Sequence, residues 1–229
     1  MISKHLRAMA WGLVLVACQG TSEPLPNNGG NPGGGHQTTT GSCDPTPASR
    51  PDAVKVLFVG NSLTYTNDLP GKLAALGAQR GQLIEKEMLA KPNYALEDHW
   101  NEGCLQAMIN SGHFDFVVVQ QGPSSQADGA ISLLAYGGYI QELCKANGTR
   151  LAFFMVWPAR VNYHTFPGVI ANYTNAANST GAILCPAGQV WKQYIDRTGD
   201  WSYYGLDEFH PSPLGTSVAA EIIYKALFP

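Results

Sequence analysis

Two short segments, far apart in the 229-residue chain, hold the residues best suited to chemistry. The first is Val56-Leu57-Phe58-Val59-Gly60-Asn61-Ser62-Leu63, an apolar, β-branched run broken at Gly-Asn-Ser. That is the pattern of a buried strand which ends by presenting a serine hydroxyl at a sheet edge. The second is Asp207-Glu208-Phe209-His210-Pro211-Ser212-Pro213-Leu214-Gly215, where an Asp precedes a His by three residues. On one short loop that spacing can set a carboxylate beside an imidazole. A serine hydroxyl is a weak nucleophile until a base takes its proton, and the base works only when its tautomer is fixed. Ser62, His210 and Asp207 supply nucleophile, base and orienter. The chemistry expected of them is attack on an ester carbonyl, acyl transfer to Ser62, and deacylation by water that His210 activates.

Such residues must be positioned by a scaffold, and the remaining pattern describes one. Near-continuous apolar runs at residues 54–59, 83–89, 114–120, 151–156 and 182–185 read as strands. Helical patterns over about 69–80, 102–111, 130–146, 169–179 and 213–226 separate or follow them, with a short amphipathic segment at 190–195. Apolar strands alternating with helices imply a parallel sheet covered on both faces. Right-handed crossovers then gather every strand's C-terminal end on one edge, where Ser62, Gln120, Gln121 and the loop at Trp157 would meet.

The Gly60-Asn61-Ser62-Leu63 block and the Asp207-x-x-His210 block together resemble the SGNH (GDSL-type) hydrolases. Ala95-Leu96-Glu97-Asp98-His99-Trp100, Val117-Val118-Val119-Gln120-Gln121 and His210-Pro211-Ser212-Pro213-Leu214-Gly215 are similar to an exported subgroup of lipoproteins in which Gln replaces the usual third block. The resemblance implies a three-layer α/β/α sandwich with a five-stranded, mainly parallel, flavodoxin-like sheet. It also implies cofactor-free cleavage of acyl esters of sugars, lipids or thiols.

Two departures from the family pattern concern the oxyanion hole, for which the family offers the nucleophile's own N–H, a Gly N–H after the second strand and an Asn side chain after the third. Here the second block reads Lys91-Pro92-Asn93-Tyr94-Ala95-Leu96, without glycine, and Gly122-Pro123-Ser124 stands where Gly-x-Asn would. Losing one donor costs on the order of 3 kcal/mol in the transition state. The expected donors are therefore the N–H groups of Ser62 and Ala95 with the amide of Gln121, or that of Gln120. His99 and Trp157 are expected to line the substrate site. Tyr163 and Phe166 would either stack on a sugar or cover the core, and His113 and His164 are expected to be solvated.

The N-terminus suggests a compartment. Lys4 and Arg7 precede an apolar stretch, residues 8–17, that is too short to span a bilayer but suits a signal peptide. Leu15-Val16-Ala17-Cys18 resembles a lipobox, so Cys18 is expected to carry lipid and hold the protein on a bacterial membrane, the outer one by the resemblance of Gln19 to enteric sorting signals. Residues 18–50 are rich in Gly, Pro and Thr and read as a tether with a reach of about 30 Å, leaving 51–229 as one domain. The formal net charge is −3 and only 14% of residues are charged, which argues against nucleic acid as a partner. No Cys-x-x-Cys or Cys/His spacing suggests a metal site. In an oxidising compartment Cys43, Cys104, Cys144 and Cys185 could pair, and helix direction favours Cys43–Cys144. A monomer acting on a small-molecule or carbohydrate ester, chiefly an acetyl ester, is expected. A lysophospholipase, a broad carboxylesterase and a catalytically silent carbohydrate-binding protein remain alternatives.

Overall fold

A computed structural model describes residues 43–46 and 50–229. The expected signal segment, Cys18 and nearly all of the expected tether lie outside the described residues. Strand β1 (Val54–Gly60) leads into a one-turn helix α1 (Ser62–Tyr65), a 3₁₀ turn (Thr66–Asp68) and helix α2 (Leu69–Gln79). Strand β2 (Ile84–Ala90), helices α3 (Leu96–Glu102) and α4 (Cys104–Gly112), and strand β3 (Phe116–Val119) follow. Then come α5 (Ala127–Ala146), β4 (Arg150–Phe154), a 3₁₀ segment (Arg160–Thr165), α6 (Phe166–Thr180), β5 (Ile183–Cys185), α7 (Ala187–Thr198) and α8 (Pro213–Leu227).

All four strand pairings are parallel, in the order β2-β1-β3-β4-β5. Val56 to Val59 and Val117 to Val119 are buried because helices cover both faces, which is why their sequences are unbroken apolar runs. Helix α2 packs against α8, and α3, α5 and α6 pack among themselves and on the central strands. The chain leaves β1 for β2 on one side and later builds β3, β4 and β5 on the other. The connections therefore diverge between the C-terminal ends of β1 and β3, the crevice in which α/β sheets of this order hold their sites. Ser62 follows β1 and Gln120 follows β3 at that point.

One helix was not legible in the sequence as a separate element. The expected helix over 102–111 is α4, and the unexpected α3 precedes it, divided from it at Gly103, whose φ of 85° is left-handed. Helix α3 buries only Leu96 and His99 among polar residues, so its apolar period is too sparse to read. Among the described residues no helix is long and apolar enough to cross a membrane.

The disulfide differs from the expected pairing. Cys43 bonds Cys104, the first residue of α4, and Cys144 and Cys185 are free and buried. Cys144 faces into the core from α5 with no exposure, so the partly exposed Cys43 does not reach it. Burial pushes the Cys144 and Cys185 thiols up to about 12, which leaves them unreactive. Non-reducing peptide mapping is expected to recover a Cys43–Cys104 peptide, with the other two thiols alkylated only after denaturation. A crosslinked Cys144 peptide would contradict this arrangement.

Candidate active site

The turn that carries Ser62 is fixed from three directions. Asn61 caps α1, its Oδ1 accepting from Leu63 N at 3.1 Å, while its Nδ2 donates to Tyr94 O at 3.0 Å. From β3 the fully buried Gln120 turns its amide toward the same turn. Its Oε1 accepts from Asn61 N at 3.0 Å and from Thr64 Oγ1 at 2.8 Å. A Cβ at position 60 would collide with that Oε1 and with Thr64 Oγ1, so only glycine lets the amide approach so closely. From α3 the buried His99 donates from Nε2 to Gly60 O at 2.8 Å, and Lys91 N donates to the same carbonyl at 3.1 Å. Ser62 itself is partly exposed as the first residue of α1, and its N–H needs no partner inside the helix.

The histidine lies in a hairpin closed by a bridge between Tyr204 and Pro211 and by Gly205 N donating to His210 O at 2.7 Å. Within it, Asp207 Oδ1 accepts from the N–H groups of Phe209 at 3.1 Å and His210 at 2.9 Å, and Oδ2 meets His210 Nδ1 at 2.5 Å. A carboxylate can only accept, so Nδ1 carries the proton and Nε2 keeps its lone pair for a substrate or a hydroxyl. The bond to His210, followed by the two backbone N–H groups, holds the half-exposed Asp207 carboxyl below the usual carboxylate range. The hairpin is braced from behind. Trp157 Nε1 donates to Phe209 O at 3.0 Å, Tyr204 Oη to Pro158 O at 2.8 Å, and Arg160 N to Glu208 O at 2.8 Å.

Five of the expected site residues do other work. Gln121 Nε2 spends both hydrogens on Ser124 Oγ (2.7 Å) and Gly129 O (3.0 Å), bracing the loop after β3 and leaving nothing for an oxyanion. Gln120 is sealed beneath the serine turn. Ala95 N donates to Asp98 Oδ2 at 2.8 Å, closing the start of α3. His99 and Trp157 have no exposed surface, so neither contacts substrate. The Trp157 ring stacks on Trp191 at 3.4 Å between centroids, and Phe166 is equally buried. The aromatics that suggested a sugar platform are the hairpin's apolar backing. The missing glycine of the second block is replaced in conformation: Asn93 has φ of 61°, the left-handed geometry that glycine favours. His164 and His113 are exposed, His164 on the wall of a cleft next to the hairpin.

No family model matches the sequence, and no curated protein matches it. Solved structures do. A Slackia heliotrinireducens protein assigned to the SGNH hydrolases superposes with a TM-score of 0.67 at 26% identity, over 76% of this chain and 99% of that one. A lipase/acylhydrolase from Enterococcus faecalis aligns at 0.61 and 13% identity, over 75% and 94%. An acetyl xylan esterase from Geobacillus stearothermophilus aligns at 0.60 and 12%, over 76% and 94%. The chain has the fold of the SGNH-type hydrolases. In this chain Gln120 and Gln121 both turn into the protein. Among the described residues no cluster of His, Cys, Asp and Glu could hold a metal ion.

Two outcomes are expected for this protein. Gln120→Leu strands Asn61 N–H and the Thr64 hydroxyl, each worth about 1–3 kcal/mol when left unpaired in the interior. Denaturant unfolding should show a loss of about 2–5 kcal/mol, whereas an exposed amide would cost almost nothing. His99 has its charged form disfavoured, chiefly by burial, so its value lies below that of an ordinary histidine; its Nδ1 also lacks a partner. The unfolded chain then binds more protons than the folded one below the ordinary histidine value, and stability falls as pH drops through that window. Tm should decline between about pH 7.5 and about pH 5. His99→Gln should flatten the slope; parallel slopes would show that His99 is not the sensor.

Proposed function

We propose that this serine ester hydrolase removes small acyl groups, acetyl foremost, from carbohydrate, with Ser62, His210 and Asp207 as its triad. The observation that carries the reading is the Asp207–His210 pair, a carboxylate immobilised by two backbone N–H groups and bound to the ring nitrogen remote from the base position. In the proposed reaction Ser62 Oγ bonds to the acyl carbon while its proton passes to His210 Nε2. The C–O bond to the alcohol then breaks and the leaving oxygen takes that proton. Water, deprotonated by the same Nε2, releases the acid and restores the serine. The oxyanion is met by Ser62 N–H rather than by either glutamine.

Support for a sugar ester comes from a cleft of about 520 Å³ beside Phe209, which adjoins His210 in sequence, although no triad residue itself lines the cleft. Ser124, Ser125, Gln126, Asn162 and His164 face it, and no Leu, Ile, Val or Met lines it. No Asp, Glu, Lys or Arg lines it either. Neutral hydroxyl-rich ligands suit such uncharged walls, with Pro123, Pro158, Ala159 and Phe209 supplying apolar surface between the polar groups. Lipidation at Cys18 would keep this activity at a bacterial membrane; loss of palmitate labelling in Cys18→Ser tests that separately.

The kinetic test compares p-nitrophenyl acetate with p-nitrophenyl octanoate and then with acetylated xylooligosaccharides. Acetate should be preferred. Asp207→Asn keeps an oxygen for the Phe209 and His210 N–H groups but turns an amide N–H toward the ring, forcing the wrong tautomer. It should lower kcat by about three to four orders of magnitude with the fold intact. The double variant Ser62→Ala/His210→Ala should be little worse than either single one. A preference for octanoate would favour the lysophospholipase or broad carboxylesterase reading, and a silent wild-type protein the binding-protein reading.

A further inference from the structure

The two halves of the proposed triad lie on separate segments, and one side chain joins them. Asn67, five residues after Ser62, donates from Nδ2 to Pro211 O at 2.8 Å and to Thr216 Oγ1 at 2.9 Å. Pro211 follows His210 directly, and Thr216, buried in the first turns of α8, in turn donates to Ser212 O at 3.1 Å. Both hydrogens of one amide are thus spent on the segment that carries the base. Pro211 has no N–H, so its carbonyl is the one backbone group this residue offers for tethering.

The backbone at Asn67 is unusual. Asn67 and Asp68 have φ of 55° and 52°, consecutive left-handed residues that are not glycine. Such a pair is costly and persists where surrounding bonds over-determine it. Asp68 is held by capping α2, its Oδ1 accepting from Gly71 N at 3.1 Å. Asn67 is held only by its reach across to Pro211 and Thr216. An aspartate could take the same backbone conformation but would offer no hydrogen to either acceptor, and glycine would take it with no side chain at all.

We infer that Asn67 is a positioning residue, setting the distance and angle between the serine turn and the histidine hairpin for proton transfer. The inference rests on the triad reading above. It assigns Asn67 no contact with substrate: its effect passes through Pro211 to His210. Misplacing reacting groups by about 1 Å can cost up to about 100-fold. Asn67→Gly, which relieves the backbone while deleting both bonds, should therefore lower kcat about 10- to 100-fold and leave KM within about twofold.

A purely structural role predicts a different pattern, so three readouts accompany the rate. The downfield proton of the His210 Nδ1–Asp207 bond should persist in Asn67→Gly, since that bond is internal to the hairpin. Thr216→Val, which removes one of the two acceptors, should show a smaller drop in kcat, and Thr216→Ser should restore the rate. Unchanged kcat in Asn67→Gly would overturn the inference, as would a drop matched by loss of the downfield proton. If Asn67→Gly does not fold, the Thr216 pair decides: equal kcat for Val and Ser overturns it, and a Val-specific drop supports it. Inactivity of the wild-type protein would instead overturn the ester-hydrolase reading itself, and with it the premise of the test.

Discussion

The serine turn depends on one buried amide. Gln120 stands at the end of β3, where the sheet's connections diverge, and its Oε1 takes both the Asn61 N–H and the Thr64 hydroxyl. Those two donors belong to residues flanking Ser62, so the strand beside β1 fixes the direction in which Ser62 leaves the sheet. Gly60 is the condition for that contact, because any side chain there would occupy the amide's place. His99 completes the support by holding Gly60 O from the opposite helix layer. A polar network this deep is stable only because nearly every member is satisfied; the exception is Nδ1 of His99.

The histidine side is built on other physics. Its hairpin carries its own carboxylate and rests on stacked aromatic rings, Trp157 on Trp191 with Tyr204 edge-on. Ion pairs such as Arg160–Glu208 lie on the outside, where solvent screens them and their net worth is small. One wall of the site is therefore ordered by buried hydrogen bonds and the other by apolar packing. The loop after β3, braced by Gln121 and Asn172, lines the cleft beside Phe209.

Much of this was legible in the sequence. Apolar runs such as 56–59 and 117–119 can only be strands covered on both faces, and their alternation with helices leads to the parallel sheet. Asp207 and His210 stood out because a three-residue spacing places their functional atoms within one loop, and Ser62 because it ends an apolar strand run at Gly-Asn-Ser. What could not be read was direction. Gln120 and Gln121 are adjacent at a strand end, and sequence cannot say whether an amide there faces the cleft or the turn beneath it; both face inward. Trp157 and His99 misled in the same way, since an aromatic or imidazole in a loop on the active edge reads alike whether it lines the site or supports it. Helix α3 was missed because its buried positions are too few to show a period, and the cysteine pairing because it depends on where one peripheral segment lies.

The central claim is that His210, held by Asp207, makes Ser62 alone among the serines a nucleophile. Labelling the intact protein with a fluorophosphonate and locating the adduct by peptide mass spectrometry tests it most directly. The account predicts a single adduct on the peptide containing Ser62, formed quickly in the wild type and lost in His210→Ala. An adduct on another serine, or labelling of Ser62 that proceeds undiminished without His210, would contradict it.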